Sequence, residues 1–404
     1  MIQGTEQAEP SGQKQKLSVL AIFPYTPNQV RVRSYLALQA LAHSFCLDVI
    51  YLQDTSEPAV LPASVRQTWE ISNRGELARG LRLAAGLLRR FPLNHEFYNS
   101  PKLPALLRSL PLERYDAVYV ERLPVHRIGL QHPRTIYDCV DCFSELSKQL
   151  SGVFPGPRRL LYKVDSWLLP AQERKACAAA TCVLVAATRE KARLQELGVK
   201  VPIVEWINDR RSPLQPRKLE RRPKFVISFH GKLSYAANLI ALKDIDEKIA
   251  PFLPQDRAEL RIIGRSSRGI ERAFKNLCFT GFVPSIEEAV RESDVCILPM
   301  RVSVGFPNKA MESLACGVPI IATEALVGGL PDWQRLSENG IYVRPIEKFV
   351  DQVLSMMALP LQTRETIAEN CRFWAQGVYE TSEERFSWEA LLGALKHEQE
   401  ETCA

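Results

Sequence analysis

Residues 295–323, VCILPMRVSVGFPNKAMESLACGVPIIAT, constrain the fold of this chain more tightly than any other stretch. Val295–Leu298 is an apolar run of strand length that stops at Pro299. A loop with Arg301, Ser303, Gly305 and Pro307 follows, and a helix is predicted from Asn308 to Cys316. Ala310, Met311, Leu314 and Ala315 share one side of that helix, while Lys309 and Glu312 share another. Pro307 suits its first turn, Gly317 supplies its stop, and Ile320–Ala322 is a second buried strand. The loop brings backbone N–H groups, a helix N-terminus and a lysine to one place, which favours an anion, phosphate above all. Glu312, one turn further in, can accept hydrogen bonds from a sugar diol.

The same alternation runs through the chain twice. In the first half, strand Leu17–Phe23 leads through the polar loop 24–29 to a helix near Arg31–Ser44 and then strand Cys46–Leu52. Further strands are predicted at 115–120, 135–138 and 182–186, and residues 201–206 close the first half. Strand, loop, helix and strand in succession indicate a parallel sheet, whose ligands gather at the carboxyl ends of its strands. INDRRSPLQPRKLERRP, residues 207–223, has Pro and Arg but no apolar periodicity and reads as a linker. Strands then resume at 225–229, 260–265, 295–298, 320–322 and 341–343. The expected organisation is a disordered tail over 1–16, an N-terminal domain over 17–206 and the linker 207–223. A C-terminal domain over 224–377 and a final helix over 378–404 that returns to the first domain complete it.

A length of 404 residues suffices for two full cores. The 52 basic and 46 acidic residues leave a net charge of +6, too mild to suggest a nucleic-acid binder. Ten scattered cysteines read as buried apolar residues of a reducing compartment rather than a disulfide framework. The pair Cys139 and Cys142 lacks the further ligands that a structural zinc ion needs. No apolar run reaches the ~18 residues of a membrane span, so a cytoplasmic protein is expected. Residues 74–110 alternate leucines with Arg79, Arg82, Arg89 and Arg90. They read as two amphipathic helices broken at Pro92, which can cover the sheet or lie on an anionic membrane.

GFPNKAMESLACGVPIIAT resembles the donor-site signature of the retaining family-4 glycosyltransferases, in the form G-x-x-N-K-x-x-E-A-x-A-x-G-x-P-V. The resemblance implies that Glu312 holds the ribose of a nucleotide sugar, and that Lys309, Asn308, Arg301, Gly305 and the loop amides lie near its diphosphate. The better-known form of the signature has a second glutamate eight positions earlier, where this chain has Val304. FHGKLSYAANLIAL is similar to the opening of that family's nucleotide-binding domain and assigns Gly231, Lys232 and Asn238 to the donor. IIGR, with Gly264 and Arg265, and NLCFTGF, ending at Phe282, follow in the family's order. PNQVRVRSYLALQALA resembles its first loop and helix, with Arg31 and Arg33 on the acceptor or phosphate side. DCVDCFSE is similar to its D-x-x-D-x-x-S-E element, so Asp138 or Asp141 would orient the acceptor hydroxyl; either Asp141 or Ser144 could instead cap the next helix. Among the histidines, His126 alone follows a strand-like segment at which acceptor contact is worth considering.

The family implies the GT-B architecture, an α/β fold of two doubly wound Rossmann-like domains facing across a cleft. It implies transfer of a sugar from a UDP- or GDP-linked donor to a hydroxyl acceptor, with retention, in glycan, glycolipid or natural-product biosynthesis. No metal or other cofactor is expected, because Arg265, Lys232 and Lys309 can stabilise the leaving diphosphate. The expected partners are the nucleotide sugar, a hydroxyl acceptor and, through the basic helices, the inner face of a membrane; nucleic acid is not among them. Two alternatives share the architecture, a non-catalytic binding or scaffold protein and a nucleotide-sugar epimerase. A dinucleotide-dependent oxidoreductase is set aside, since no G-x-G-x-x-G follows the first strand.

Overall fold

The computed structural model describes residues 16–29, 31–54, 58–72, 100–209, 219 and 222–403, with side chains to 395. Two parallel sheets organise the chain, as the alternating pattern implies. The first has seven strands: β1 (Ser18–Phe23), β2 (Cys46–Gln53), β3 (Gln67–Ser72), β4 (Ala117–Glu121), β5 (Thr135–Val140), β6 (Cys182–Val185) and β7 (Ile203–Glu205). They lie in the order β3-β2-β1-β4-β5-β6-β7. The second has six: β8 (Phe225–His230), β9 (Ala258–Ile263), β10 (Phe279–Gly281), β11 (Val295–Leu298), β12 (Ile320–Ala322) and β13 (Ile341–Val343), in the order β10-β9-β8-β11-β12-β13. The strand order therefore reverses between β1 and β4 in one sheet and between β8 and β11 in the other. At such a reversal the crossovers on either side diverge and leave a crevice at the carboxyl ends.

The helices that position the site are α1 (Val32–Ser44), α2 (Lys102–Ser109), α3 (Phe143–Val153), α4 (Gly156–Ala178), α5 (Thr188–Glu196), α6 (Ala236–Asp244), α7 (Asn308–Ala315), α8 (Leu361–Arg385) and α9 (Trp388–Cys403). Strands β3, β7 and β10 have no counterpart among the predicted strands. Only Ile71 of QTWEIS is buried, because β3 is an edge strand with no second face to fill. Residues 74–99 of the basic run 74–110 lie outside the described residues, as do residues 1–15 of the expected tail; of that run, α2 is described as a helix.

The first sheet is covered on both faces. Leu20, Ile22, Val118 and Val183 pack to one side, and Val19, Ala21, Phe23, Tyr119 and Leu184 to the other. The second face also takes Trp388, Leu392 and Leu395 of α9. Helix α8 stays with the second sheet, where Ile367, Cys371, Ala375 and Tyr379 join its core. The chain thus crosses back at Phe386–Ser387, eight residues beyond the expected boundary at 378. Trp388 meets Trp206 and Phe386 edge-on, with centroids 5.0 and 5.1 Å apart, and Tyr119 at 5.8 Å. No helix among the described residues is long and apolar enough to cross a membrane.

Candidate functional site

Strand β8 ends at His230 and β11 at Leu298, the two strands that flank the reversal of the second sheet. Helix α7 starts beyond β11 and brings Lys309 and Glu312 over that crevice. Oε2 of Glu312 lies 3.2 Å from Nε2 of His230, whose Nδ1 is 3.6 Å from Sγ of Cys296. Burial opposes a charge on His230, but the contacts with Cys296 and the Glu312 carboxylate outweigh it and raise the imidazole to about 9. The histidine is buried, while the Glu312 side chain keeps 12% of its surface open. Glu312 is therefore a carboxylate held from behind and presented to the cleft.

Nζ of Lys309 donates to Oδ1 of Asn238 at 2.8 Å, and Nδ2 of Asn238 donates to the Lys232 carbonyl at 2.7 Å. Burial lowers the pKa of Lys309, and Glu312 works in the opposite direction. Gly231 lets this lysine pass: its φ is +134°, and a Cβ there would sit 2.6 Å from Cε of Lys309. Gly264, at φ +139°, lies against the Gly231 carbonyl so closely that any side chain would overlap it. The ends of β8 and β9 and the start of α7 thus converge on one place. Arg265 stands at its rim with its guanidinium 5.2 Å from the ring centroid of Phe282, which is 66% exposed. Lys232 is exposed at the same rim.

The loop before α7 is committed differently from what its sequence suggests. Gly305 was expected to offer its amide to phosphate. Its N–H instead donates to Oε1 of Glu190 at 2.6 Å, and its carbonyl accepts from Nη2 of Arg189 at 2.7 Å. Arg189 also reaches Ser303 Oγ at 3.2 Å and the Ala325 carbonyl at 3.1 Å. The Ser303 N–H donates to Oε1 of Gln149 in α3. Asp141, at the end of β5, presses its carboxylate on Gly305 from the first domain and pairs with Arg122 at the end of β4. Burial raises Glu190 to about 7; Arg189 and the Gly305 N–H oppose this, and Asp141 adds to it. Arg301, also assigned to the donor, forms a bidentate ion pair with Asp244 at the end of α6 and braces this loop instead.

Two further expectations are corrected. Asp138 does not face an acceptor: it is completely buried, and Arg33 holds it with Nε to Oδ2 at 2.7 Å and Nη2 to Oδ1 at 3.0 Å. Tyr119 donates its hydroxyl to the same carboxylate at 2.6 Å. Arg33 in turn lies 4.0 Å from the ring centroid of Trp206 and donates to the Trp206 carbonyl, so it offers no charge to a phosphate. Beside this pair, on β4, Glu121 accepts from the Tyr25 hydroxyl at 2.6 Å. Burial raises the Glu121 pKa, and the neighbouring Asp138 raises it further. Arg31 pairs with Asp54 at 2.7 Å. His126 contacts Gln172 of α4, so the histidine that joins the candidate site is His230.

His230 had a legible signal, a titratable residue closing an apolar strand just before Gly231-Lys232. Glu190, Arg189, Arg122 and Asn208 had none, since their partners lie far along the chain. Backbone strain marks the same region. Arg122 and Val140, at the ends of neighbouring strands, have φ of +56° and +60°, a left-handed conformation that a β-branched residue adopts at a cost.

Residues 224–358 match the family described as Glycosyl transferases group 1. Comparison with curated proteins finds no match. Among solved structures, WaaG, a glycosyltransferase involved in lipopolysaccharide biosynthesis, is 14% identical with a TM-score of 0.61; the match covers 90% of this chain and 98% of that one. Anabaena HepE in complex with UDP is 15% identical with a TM-score of 0.57, covering 96% and 99%. HepE with UDP-glucose is 12% identical with a TM-score of 0.57, covering 95% and 100%. The shared fold is GT-B, two Rossmann-like domains across a cleft.

Proposed function

We propose, from the match of residues 224–358 to the glycosyl transferases group 1 family, that the protein moves a sugar from a nucleotide diphosphate sugar to a hydroxyl acceptor, with retention and without a metal ion. The observation that carries this reading is Glu312, buttressed by His230 and open to the cleft, one turn from Lys309 at the reversal of the second sheet. The Glu312 carboxylate accepts hydrogen bonds from the ribose diol. Lys309 and the start of α7 face the diphosphate, with Lys232 and Arg265 at the rim. The exposed Phe282 ring offers the base a surface to lie on.

As the bond from the anomeric carbon to the diphosphate oxygen breaks, negative charge gathers on that oxygen, where the cations stabilise it. The acceptor oxygen bonds to the anomeric carbon on the same face. Its proton passes to the departing phosphate oxygen, so no side chain is required as base. Asp141, at the seam between the domains, is the carboxylate of DCVDC that can still orient the acceptor hydroxyl. The HepE complex with UDP-glucose makes that sugar the first donor to try, and GDP-linked sugars the second.

The test is incubation with UDP- and GDP-sugars, with and without a panel of hydroxyl acceptors, in the presence of EDTA. Acceptor-stimulated release of nucleoside diphosphate is expected, with a product of unchanged anomeric configuration by NMR. Isomerised sugar without an acceptor product would make the protein an epimerase. Failure of every nucleotide sugar to bind would leave a scaffold.

A further inference from the structure

Ten large hydrophobic side chains are exposed among the described residues, and four of them stand on one helix, α4. Trp167 is 74% exposed and Leu160 64%, with Leu161 and Val164 beside them. Positions 160, 164 and 167 fall one above another on a helix of 3.6 residues per turn. The opposite face is the one that packs: Asp165, Leu169, Glu173 and Ala176 are buried. Among the described residues, the outward apolar stripe of α4 therefore stands apart from the face that packs on the protein. A tryptophan that keeps three-quarters of its surface in water is unusual enough to require a partner.

Charge on α4 is sorted in the same way. Its two acids, Asp165 and Glu173, are both on the buried face, and Glu173 accepts the Ser144 N–H at 2.9 Å. Its five bases, Arg158, Arg159, Lys163, Arg174 and Lys175, are all exposed. The outward side is thus an apolar stripe flanked by cations with no acid of its own helix between them. A second copy docked across a two-fold axis would set these cations against their equals, which counts against a symmetric dimer. A flat anionic surface satisfies both features, since the stripe can enter the headgroup boundary while the bases meet lipid phosphates.

We propose that the outer face of α4 is a docking surface for an anionic lipid bilayer, with Trp167 and Leu160 inserted at the interface and Arg159, Lys163 and Arg174 on the headgroups. The site differs from the basic run at 74–110 and does not depend on the sugar-transfer reading. At ~1.5 Å per residue the helix offers a contact about 35 Å long. It also runs along α3, whose Gln149 touches the loop before α7, so a membrane held there lies beside the cleft.

The full chain is sedimented with phosphatidylcholine vesicles, with and without phosphatidylglycerol. Binding is expected only to the anionic vesicles and weakens as salt is raised. Trp167→Ser with Leu160→Ser should reduce it by at least about tenfold, the effect of losing one buried leucine-sized group. Arg159→Glu with Lys163→Glu and Arg174→Glu should abolish the preference for anionic lipid. These side chains are solvent-exposed, so both variants should keep the parent's circular dichroism and melting temperature; Leu160→Ser alone serves if the double variant does not. Absence of vesicle binding would overturn the proposal, as would equal binding by all variants. So would a dimer in analytical ultracentrifugation that the serine variant dissolves, since the stripe would then belong to a second copy.

Discussion

Nδ2 of Asn208 donates to Oδ1 of Asn308 at 3.1 Å, while Oδ1 of Asn208 accepts from Nη1 of Arg33 at 3.2 Å. One side chain at the start of the linker thereby joins the buried Arg33–Asp138 pair of the first domain to the first residue of α7. Asn208→Ala leaves a buried guanidinium N–H without that acceptor and should cost about 1–3 kcal/mol in denaturant unfolding. Arg33→Met strands the Asp138 carboxylate and should cost more, about 3–5 kcal/mol. The double variant should fall short of the sum, because both changes break one network.

Glu190 gives closure of the seam a pH dependence. Its pKa in the folded protein, about 7, is above the ordinary carboxylate value, so the folded state holds a proton that the unfolded chain releases earlier. The stabilisation is complete below the ordinary carboxylate range and is lost as pH rises to about 7, by up to about 1.4 kcal/mol per unit. Melting temperatures taken between about pH 5 and about pH 8 should fall for the parent. Glu190→Gln should reduce that slope in the same window, leaving the part owed to His230 and Glu173.

Gly305 has φ +67°, and the Asp141 carboxylate fills the place of a Cβ. Gly305→Ala must displace the Asp141 carboxylate at the seam between the domains, on top of a left-handed backbone cost of about 1–2 kcal/mol. The expected result is a fall in kcat/KM of up to about 10²-fold from misaligned halves. Titration calorimetry should show donor affinity nearly unchanged, because Glu312 and Lys309 sit wholly on the second domain. A loss of donor affinity as large as the loss of rate would contradict this division of labour.

Removing the charge of Glu312 should act on two observables at once. Glu312→Gln withdraws the carboxylate that holds His230 up at about 9, so the His230 resonance should titrate lower. The same change weakens the acceptor for the ribose diol, and the thermal shift given by UDP should shrink. If the histidine moves and the nucleotide response does not, Glu312 is a structural partner of His230 and the donor lies elsewhere.

Much of the fold could be read from apolar runs of strand length, since most central strands are buried on both faces; β9, with Glu259 and Arg261 among its six residues, is an exception. Strand β3 could not, because an edge strand with one buried residue leaves no pattern. The Lys309–Glu312 pair was legible from helical spacing after a proline start. Asp138 and Arg33 were found as residues but misplaced: a charge at a strand end reads the same whether it faces a cleft or a neighbour's guanidinium. The seam was illegible altogether. Glu190 and Gly305 are 115 positions apart, and no local spacing encodes a contact made only when two domains close.

The return of α9 to the first sheet has a practical consequence for dissecting the molecule. Trp388, Leu392 and Leu395 belong to the core built around Tyr119 and Trp206, so the N-terminal unit is assembled from both ends of the polypeptide. A fragment stopping at the linker would lack part of its own interior, whereas one spanning roughly 224–385 would carry the second sheet together with α8. Chimaeras that exchange donor halves between related enzymes would accordingly need two junctions, with the last one placed at Phe386–Ser387.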